Sequence, residues 1–202
     1  MPIAVERLVV GELAVNCYIV SNTQTNECFI VDPGAEAQRI IRKVAERKVC
    51  AVLLTHGHYD HIGAVDELCA HYGVPVYIHP LDAGKLPDAM ANVSAVFGEP
   101  LTQSTVPTPV EEGTLTLAGL EVQILHTPGH SSGGICCVLP DGQGILTGDT
   151  LFAHGYGRTD FADGDFAVLH QSLRRLFRLT PRMVAYPGHD VPGVVGRDPV
   201  GE

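Results

Sequence analysis

The chain has 202 residues, 45% of them hydrophobic and 18% charged, with a formal net charge of −10. That apolar fraction supports a sizeable core and excludes intrinsic disorder. An acidic chain without a Lys/Arg run excludes nucleic acid as its principal partner, because neutralising phosphates takes clustered cations.

In chain order, RLVVG and NCYIVS read as strands, and ECFIVDPG as a strand closing in a Pro-Gly turn. Residues 36–48 have helical spacing, with Ile40, Ile41 and Val44 on one face. CAVLLT (50–55) is wholly apolar, as a strand covered on both faces should be, and IGAVDELCAHYG predicts a helix stopping at Gly73. Residues 80–112 are broken by Pro80, Pro87, Pro100, Pro107 and Pro109 and read as a loop region with one short helix. Strands resume at TLTLAG, LEVQILHT, GGICCVLP and GILTGD, with Asp141-Gly142 predicting a hairpin between the last two. Residues 165–179 form an amphipathic pattern with Phe166, Leu169, Leu173, Leu176 and Phe177 on its apolar face, and PRMVAYPGHD is a final strand and loop. Each half thus follows the plan strand, Asp, helix, strand, His, which places Asp32 and Asp149 at comparable strand ends.

No run of about 20 apolar residues is present, so no membrane helix is expected. The N-terminal MPIAVERLVVGE lacks the basic-then-apolar order of a secretory signal. Cys17, Cys28, Cys50, Cys69, Cys136 and Cys137 form no C-x-x-C and lie mostly in apolar runs, which points to buried reduced thiols and a cytoplasmic location.

The chemistry concentrates in THGHYDH, residues 55–61, where His56, His58, Asp60 and His61 follow the apolar strand at once. His130 in TPGH, Asp149 in LTGDT and His189 in YPGHD add three more groups at strand ends or tight turns. Five of these seven residues adjoin a glycine, which lets the backbone turn side chains into a common cavity. His71, His126 and His170 have no such setting and read as structural or surface residues. Imidazole and carboxylate ligands without thiolate suit catalytic zinc, iron or manganese rather than a structural zinc site. Seven donors exceed the four of one closed tetrahedral ion, so two divalent ions sharing one carboxylate is the economical count. Such a pair supports metal-assisted hydrolysis.

H-x-H-x-D-H followed by a distal His, Asp and His resembles the metallo-β-lactamase-fold superfamily over about residues 6–190. LLTHGHYDHIGAVDEL, LHTPGHSSGG, LTGDTLF, GRTDFADGD and YPGHD resemble its short bacterial hydroxyacylglutathione hydrolases, the glyoxalase II-like branch. The resemblance implies an α/β fold, a four-layer αββα sandwich, expected as a single domain over 1–202. A Gly/Pro-rich tail from about 191 and no C-terminal glutathione-binding helical domain are expected with it. It assigns His56, His58 and His130 to a first metal, and Asp60, His61 and His189 to a second. Asp149 bridges the two, and Asp32 supports the site from behind.

The implied reaction is thioester hydrolysis by a metal-bound hydroxide, with Asp60 both a ligand and a catalytic group orienting the nucleophile. The substrate is expected to be a small-molecule thioester, with no nucleic-acid or membrane partner, and the oligomeric state stays open. His154, Tyr156 and Arg158 in AHGYGRTD are candidate substrate contacts, although the Gly-Arg-Thr-Asp turn favours Arg158 as a brace for Asp160. The ending GRDPVGE departs from the Arg-x-x-Asn-Pro-Phe-Leu ending of the larger members, which puts tight glutathione recognition in doubt. A mononuclear-iron persulfide dioxygenase using His56, His130 and Asp149 is the first alternative. A hydrolase of another ester, lactone or carrier-bound thioester is the second. A non-catalytic metal-binding module fits less well, because all seven ligand positions are intact.

Overall fold

The structure is a computed structural model and describes residues 3–97, 99–180 and 182–195. The first half runs β1 (Ile3–Val10), β2 (Val15–Asn22), β3 (Glu27–Val31), α1 (Ala37–Val44), β4 (Lys48–Leu53), α2 (Tyr59–Ile62), α3 (Val65–Tyr72), β5 (Val76–Ile78), α4 (Pro80–Ala83), α5 (Ser94–Phe97) and β6 (Thr108–Pro109). The second runs β7 (Gly113–Leu117), β8 (Leu120–His126), β9 (Ile135–Val138), β10 (Ile145–Gly148), α6 (Phe166–Leu179), β11 (Val184–Pro187) and β12 (Gly193–Val194). Two six-stranded sheets result, ordered β1-β2-β3-β4-β5-β6 and β12-β11-β10-β9-β8-β7.

The two-residue period of a strand explains the layering. On β2 and β3, Cys17, Ile19, Cys28 and Ile30 face one way, into a core shared with Ile40 and Val44 of α1 and Val65 and Leu68 of α3. Their neighbours Tyr18, Val20, Phe29 and Val31 face the other way and meet Leu120, Val122, Ile124 and Cys137 of the second sheet. The far face of that sheet, with Leu125, Cys136, Ile145 and Ala185, packs on Leu169, Leu173 and Leu176 of α6. Helix, sheet, sheet and helix are therefore stacked as an αββα sandwich. The interior also explains the cysteines: all six are unpaired, and burial pushes the Cys28 and Cys136 thiols up to about 11.

The strand–helix–strand echo between the halves has a structural basis. Strands β3 and β4 pair in parallel around α1, and β10 and β11 pair in parallel around α6. Asp32 and Asp149 each follow the first strand of such a unit, and His56 and His189 lie beyond the second.

Several elements differ from the sequence pattern. Helix α1 is shorter than 36–48, because Ala45 turns to a φ of 54° and Lys48 already pairs with Glu27 in the sheet. The metal-type cluster is not wholly loop, since Tyr59–Ile62 makes a helical turn. The proline-broken stretch holds two short helices, α4 and α5, and adds β6 to the first sheet. Phe166 is 49% exposed at the start of α6, outside its buried stripe. The expected tail begins inside the sheet: β12 pairs with β11 and Val195 is buried, while 196–202 lie outside the described residues. No helix among the described residues is long and apolar enough to cross a membrane.

Helix α6 also positions part of the site. The Asp165 carboxylate caps it by accepting from Val168 N at 3.0 Å, and Asp165 N donates to Gly129 O at 2.8 Å, one residue before His130. Ser172 Oγ donates to Pro128 O at 2.7 Å. Asp165→Ala is expected to cost about 1 kcal/mol, as loss of an N-cap does. That lowers Tm by about 2–4 °C for a chain of this size, measurable by thermal unfolding of the ion-free protein.

Candidate metal centre

The seven residues singled out in the sequence converge at one edge of the sandwich, from both sheets. Ligand atoms of His56, His58 and His130 lie within 4.8 Å of one another, as do those of Asp60, His61 and His189, and those of His56, His61 and Asp149. Asp149 lies between the first two groups. Its Oδ1 is 3.5 Å from His61 Nε2, and its Oδ2 is 3.6 Å from both His130 Nε2 and His189 Nε2. Asp60 Oδ2 is 3.2 Å from His189 Nε2 and 3.7 Å from His61 Nε2. His56, His58, His61 and His130 are buried, and His189 is the most open member with a side chain 25% exposed.

Each imidazole is turned by what its other nitrogen meets. His61 Nδ1 is 3.0 Å from Asp32 Oδ2, His130 Nδ1 is 2.7 Å from Arg158 O, and His189 Nδ1 is 3.1 Å from Leu13 O. Thr55 Oγ1 donates to Asp32 Oδ2 at 2.6 Å and so offers its lone pairs to His56 Nδ1 at 3.2 Å. These acceptors place a proton on Nδ1 in four rings and turn each Nε2 into the cluster. His58 is reversed, with Nδ1 3.0 Å from His130 Nε2.

His56 Nε2, His61 Nε2 and Asp149 Oδ1 are buried without a hydrogen-bond partner. Orphaned buried polar atoms are costly, and several converging on one point call for a shared partner that is neither donor nor acceptor. Divalent ions meet that need, and the donor set of imidazole and carboxylate suits them. Burial and the neighbouring rings push His56 and His58 well below the usual histidine range. Burial would lower His61 too, but the carboxylates of Asp60, Asp149 and Asp32 outweigh it and raise it to about 10.

A profile of the metallo-beta-lactamase superfamily matches residues 10–189, which takes in all seven cluster residues. The chain belongs to this superfamily. Among its relatives, the hydroxyacylglutathione hydrolase GloC of Haemophilus influenzae is 34% identical over 189 residues, 91% of this chain and 89% of that one. Among solved structures, the B3 metallo-beta-lactamase BLEG-1 superposes with a TM-score of 0.90 at 31% identity, covering 95% of this chain and 94% of that one. TTHA1623, solved in a di-iron-bound form, superposes with a TM-score of 0.84 at 33% identity, covering 94% of both chains.

Around the superfamily cluster stands a rim of aromatic rings. Phe161 is 4.9 Å from His58 and 5.9 Å from Phe97, which stacks at 6.5 Å on Tyr59. Arg158 braces its own turn, the role the Gly-Arg-Thr-Asp turn favoured: Nε and Nη2 donate to the two Asp160 oxygens at 2.6 and 2.7 Å. Its guanidinium lies 4.6 Å over Phe161. His154 and Tyr156 are exposed, and the Tyr156 ring lies 5.8 Å from that of Phe166.

Asp32 proves to be more than a turn residue, because both its oxygens are engaged behind His61 and Thr55. Other supports had not been singled out. Asn16 Nδ2 donates to Pro187 O at 2.8 Å and Asp190 O at 2.7 Å, and Tyr18 OH donates to Pro187 O at 2.8 Å, so β2 holds both sides of His189. Their available signal was Asn16, a polar residue next to the apolar run Cys17–Val20.

Proposed function

We propose that the chain is a metal-dependent thioester hydrolase of the glyoxalase II-like kind. In this reading His56, His58 and His130 hold one divalent ion, Asp60, His61 and His189 hold a second, and Asp149 reaches both. The observation that carries it is the pair of ligand triplets flanking one carboxylate, with unpartnered atoms aimed inward. Zinc is the proposed metal, and iron or manganese the next, iron being supported by the di-iron form of TTHA1623. Bound there, two ions would supply Lewis acidity and a water of lowered pKa, which together suffice for hydrolysis at neutral pH.

The chain's own groups do the rest. Asp60, with a side chain 14% exposed, is the more open of the two cluster carboxylates and orients the nucleophile by accepting its hydrogen bond. The Nδ1 sites of His56, His61, His130 and His189 are committed to fixed acceptors, so those protons are not offered to a leaving group. A thiol with a pKa of about 8.5 leaves as its anion without such help, which favours a thioester over an alkyl ester or amide. The rings of Tyr59, Phe97 and Phe161 line the approach to His58 and suit the carbon chain of an acyl group or thiol carrier. Arg158 is already paired with Asp160, so that guanidinium offers no unmatched charge to a glutathione carboxylate. The unpaired, mostly buried cysteines support a reducing compartment, the cytoplasm, as its location.

The test is a parallel assay of the zinc- and iron-loaded protein on S-lactoylglutathione and other acyl thioesters, a β-lactam, and a glutathione persulfide with dissolved oxygen. A thioester kcat/KM of about 10⁴ M⁻¹s⁻¹ or more, the lower bound for ordinary enzymes, is the expected result. Faster β-lactam opening would move the chain towards the activity in BLEG-1's name. Oxygen uptake with one iron per chain would replace the hydrolase by a dioxygenase.

A further inference from the structure

Beside the ligand cluster lies a second charged assembly, in which buried Asp82 and Lys85 meet the partly exposed Asp163. Asp82 is fully buried and Lys85 is 5% exposed. Asp82 Oδ2 accepts from Gly57 N at 2.8 Å, and Gly57 stands between His56 and His58. Its Oδ1 accepts from Gly133 N at 2.7 Å and Ser132 Oγ at 3.4 Å, just beyond His130. Lys85 Nζ lies 3.3 Å from Asp82 Oδ1 and 2.7 Å from Asp163 Oδ2, and the latter oxygen also accepts from Ser132 N at 2.8 Å.

We propose that Asp82, backed by Lys85 and Asp163, is the positioning residue for the His56–His58–His130 triplet, fixing the distance between the loops that carry it. Those loops belong to different sheets: one follows β4, the other joins β8 to β9. A single carboxylate takes a backbone N–H from each and thereby sets His58 against His130, whose facing ring nitrogens are 3.0 Å apart. Burying carboxylates and an ammonium is no better for stability than packing apolar side chains of the same volume. Stability therefore does not account for this assembly, whereas a short, directional crosslink does. The chain also keeps room for it. A Cβ on Gly57 would fall 2.8 Å from Lys85 Cβ, and one on Gly133 would fall 2.7 Å from Asp82 Oδ1.

The other triplet has separate braces. His61 is held by Asp32, and His189 by Leu13 O, with Asn16 holding the backbone on either side of it. Losing Asp82 therefore weakens one ion site and spares the other. This inference rests on the two-ion reading and not on the thioester.

The experiment is zinc titration of the ion-free protein against a chromophoric chelator. Wild type is expected to take two ions. Asp82→Asn, which sets an amide N–H against a backbone N–H donor, is expected to weaken one ion about 10–100-fold, the usual effect of losing a residue that orients ligands. The other ion should stay within about threefold of its wild-type affinity, less than any such effect. Adding His189→Ala to Asp82→Asn should then abolish the surviving tight ion, and adding His58→Ala should leave it. Two unchanged affinities, or two ions weakened alike, overturn the inference, the second because a merely structural loss would act on both. If Asp82→Asn does not fold, Asp163→Asn removes the outer leg while keeping Asp82 in place, and is judged by the same selectivity. Fewer than two ions in the wild type overturns the two-ion reading, and this inference with it.

Discussion

Asp149→Ala is expected to lower thioester kcat/KM by about 10³-fold or more, equivalent to about 4 kcal/mol of transition-state stabilisation. The reason is geometric. Asp149 is the one cluster carboxylate whose oxygens approach His61, His130 and His189, members of both triplets. Removing His58 or His189 takes a ligand from one group, whereas removing Asp149 takes the shared one. The same substitution should remove most of the stabilisation that metal confers on the fold. For wild type, an ion at 100 times its Kd adds about 2.7 kcal/mol, and each kcal/mol raises Tm by about 2–4 °C at this length. Two such ions should therefore raise the Tm of ion-free wild type by about 11–22 °C, and adding zinc to Asp149→Ala should raise it by less than half of that. Thermal scans with and without zinc, run beside the activity assay, check both parts. A variant that keeps the full increment and a tenth of the activity would show that Asp149 is no ligand.

The contrast between Asp149 and Asp82 shows what a sequence displays and what it conceals. Asp149 and the six other cluster members were legible because each is a metal-type side chain in a short motif that follows an apolar strand, and most have an adjoining glycine. The alternation of buried positions made the sandwich legible in the same way, since β2 and β3 carry apolar residues on both faces. Apart from Asp32, the groups that orient the ligands carry no such mark. Two of the acceptors holding histidine rings are the main-chain carbonyls of Leu13 and Arg158, and any residue type supplies a carbonyl. Asp82 and Lys85 lie in a proline-punctuated stretch that reads as loop, and their meeting with Gly57 and Gly133 spans 25 and 51 positions from Asp82. Helix ends were misjudged for a related reason. The pattern of α1 continues past Val44, but pairing of Lys48 with Glu27 forces the chain out of the helix early.

Asp32 is where fold and site depend on the same atoms, and Asp32→Ala should show it through a loss of about 3–5 kcal/mol in the ion-free protein. The residue is 1% exposed, and its carboxylate accepts three hydrogen bonds: Thr55 N at 2.8 Å, Thr55 Oγ1 at 2.6 Å and His61 Nδ1 at 3.0 Å. Hydrogen bonds to a charged group contribute about 1.5–3 kcal/mol each, and a buried donor left without its acceptor costs about 1–3 kcal/mol. These terms overlap, because one buried void serves all three donors, so the sum stays well below three times the largest. Asp32 also has a φ of 48°, a left-handed conformation that Asp and Asn adopt at lower cost than Ala, which adds roughly 1 kcal/mol. Asp32→Asn keeps that conformation and one acceptor oxygen, and should lose only about half as much stability by the same reasoning. In denaturant titrations the order should thus be wild type, Asn, Ala. A turn aspartate valued only for its backbone angle would instead leave Asn equal to wild type. The zinc titration supplies the second half of the argument: with His61 Nδ1 freed from its acceptor, the ion held by Asp60, His61 and His189 should weaken about 10–100-fold. The ion held by His56, His58 and His130 should suffer less, because Thr55 Oγ1 still faces His56 Nδ1 and Asp82 still ties Gly57 to Gly133.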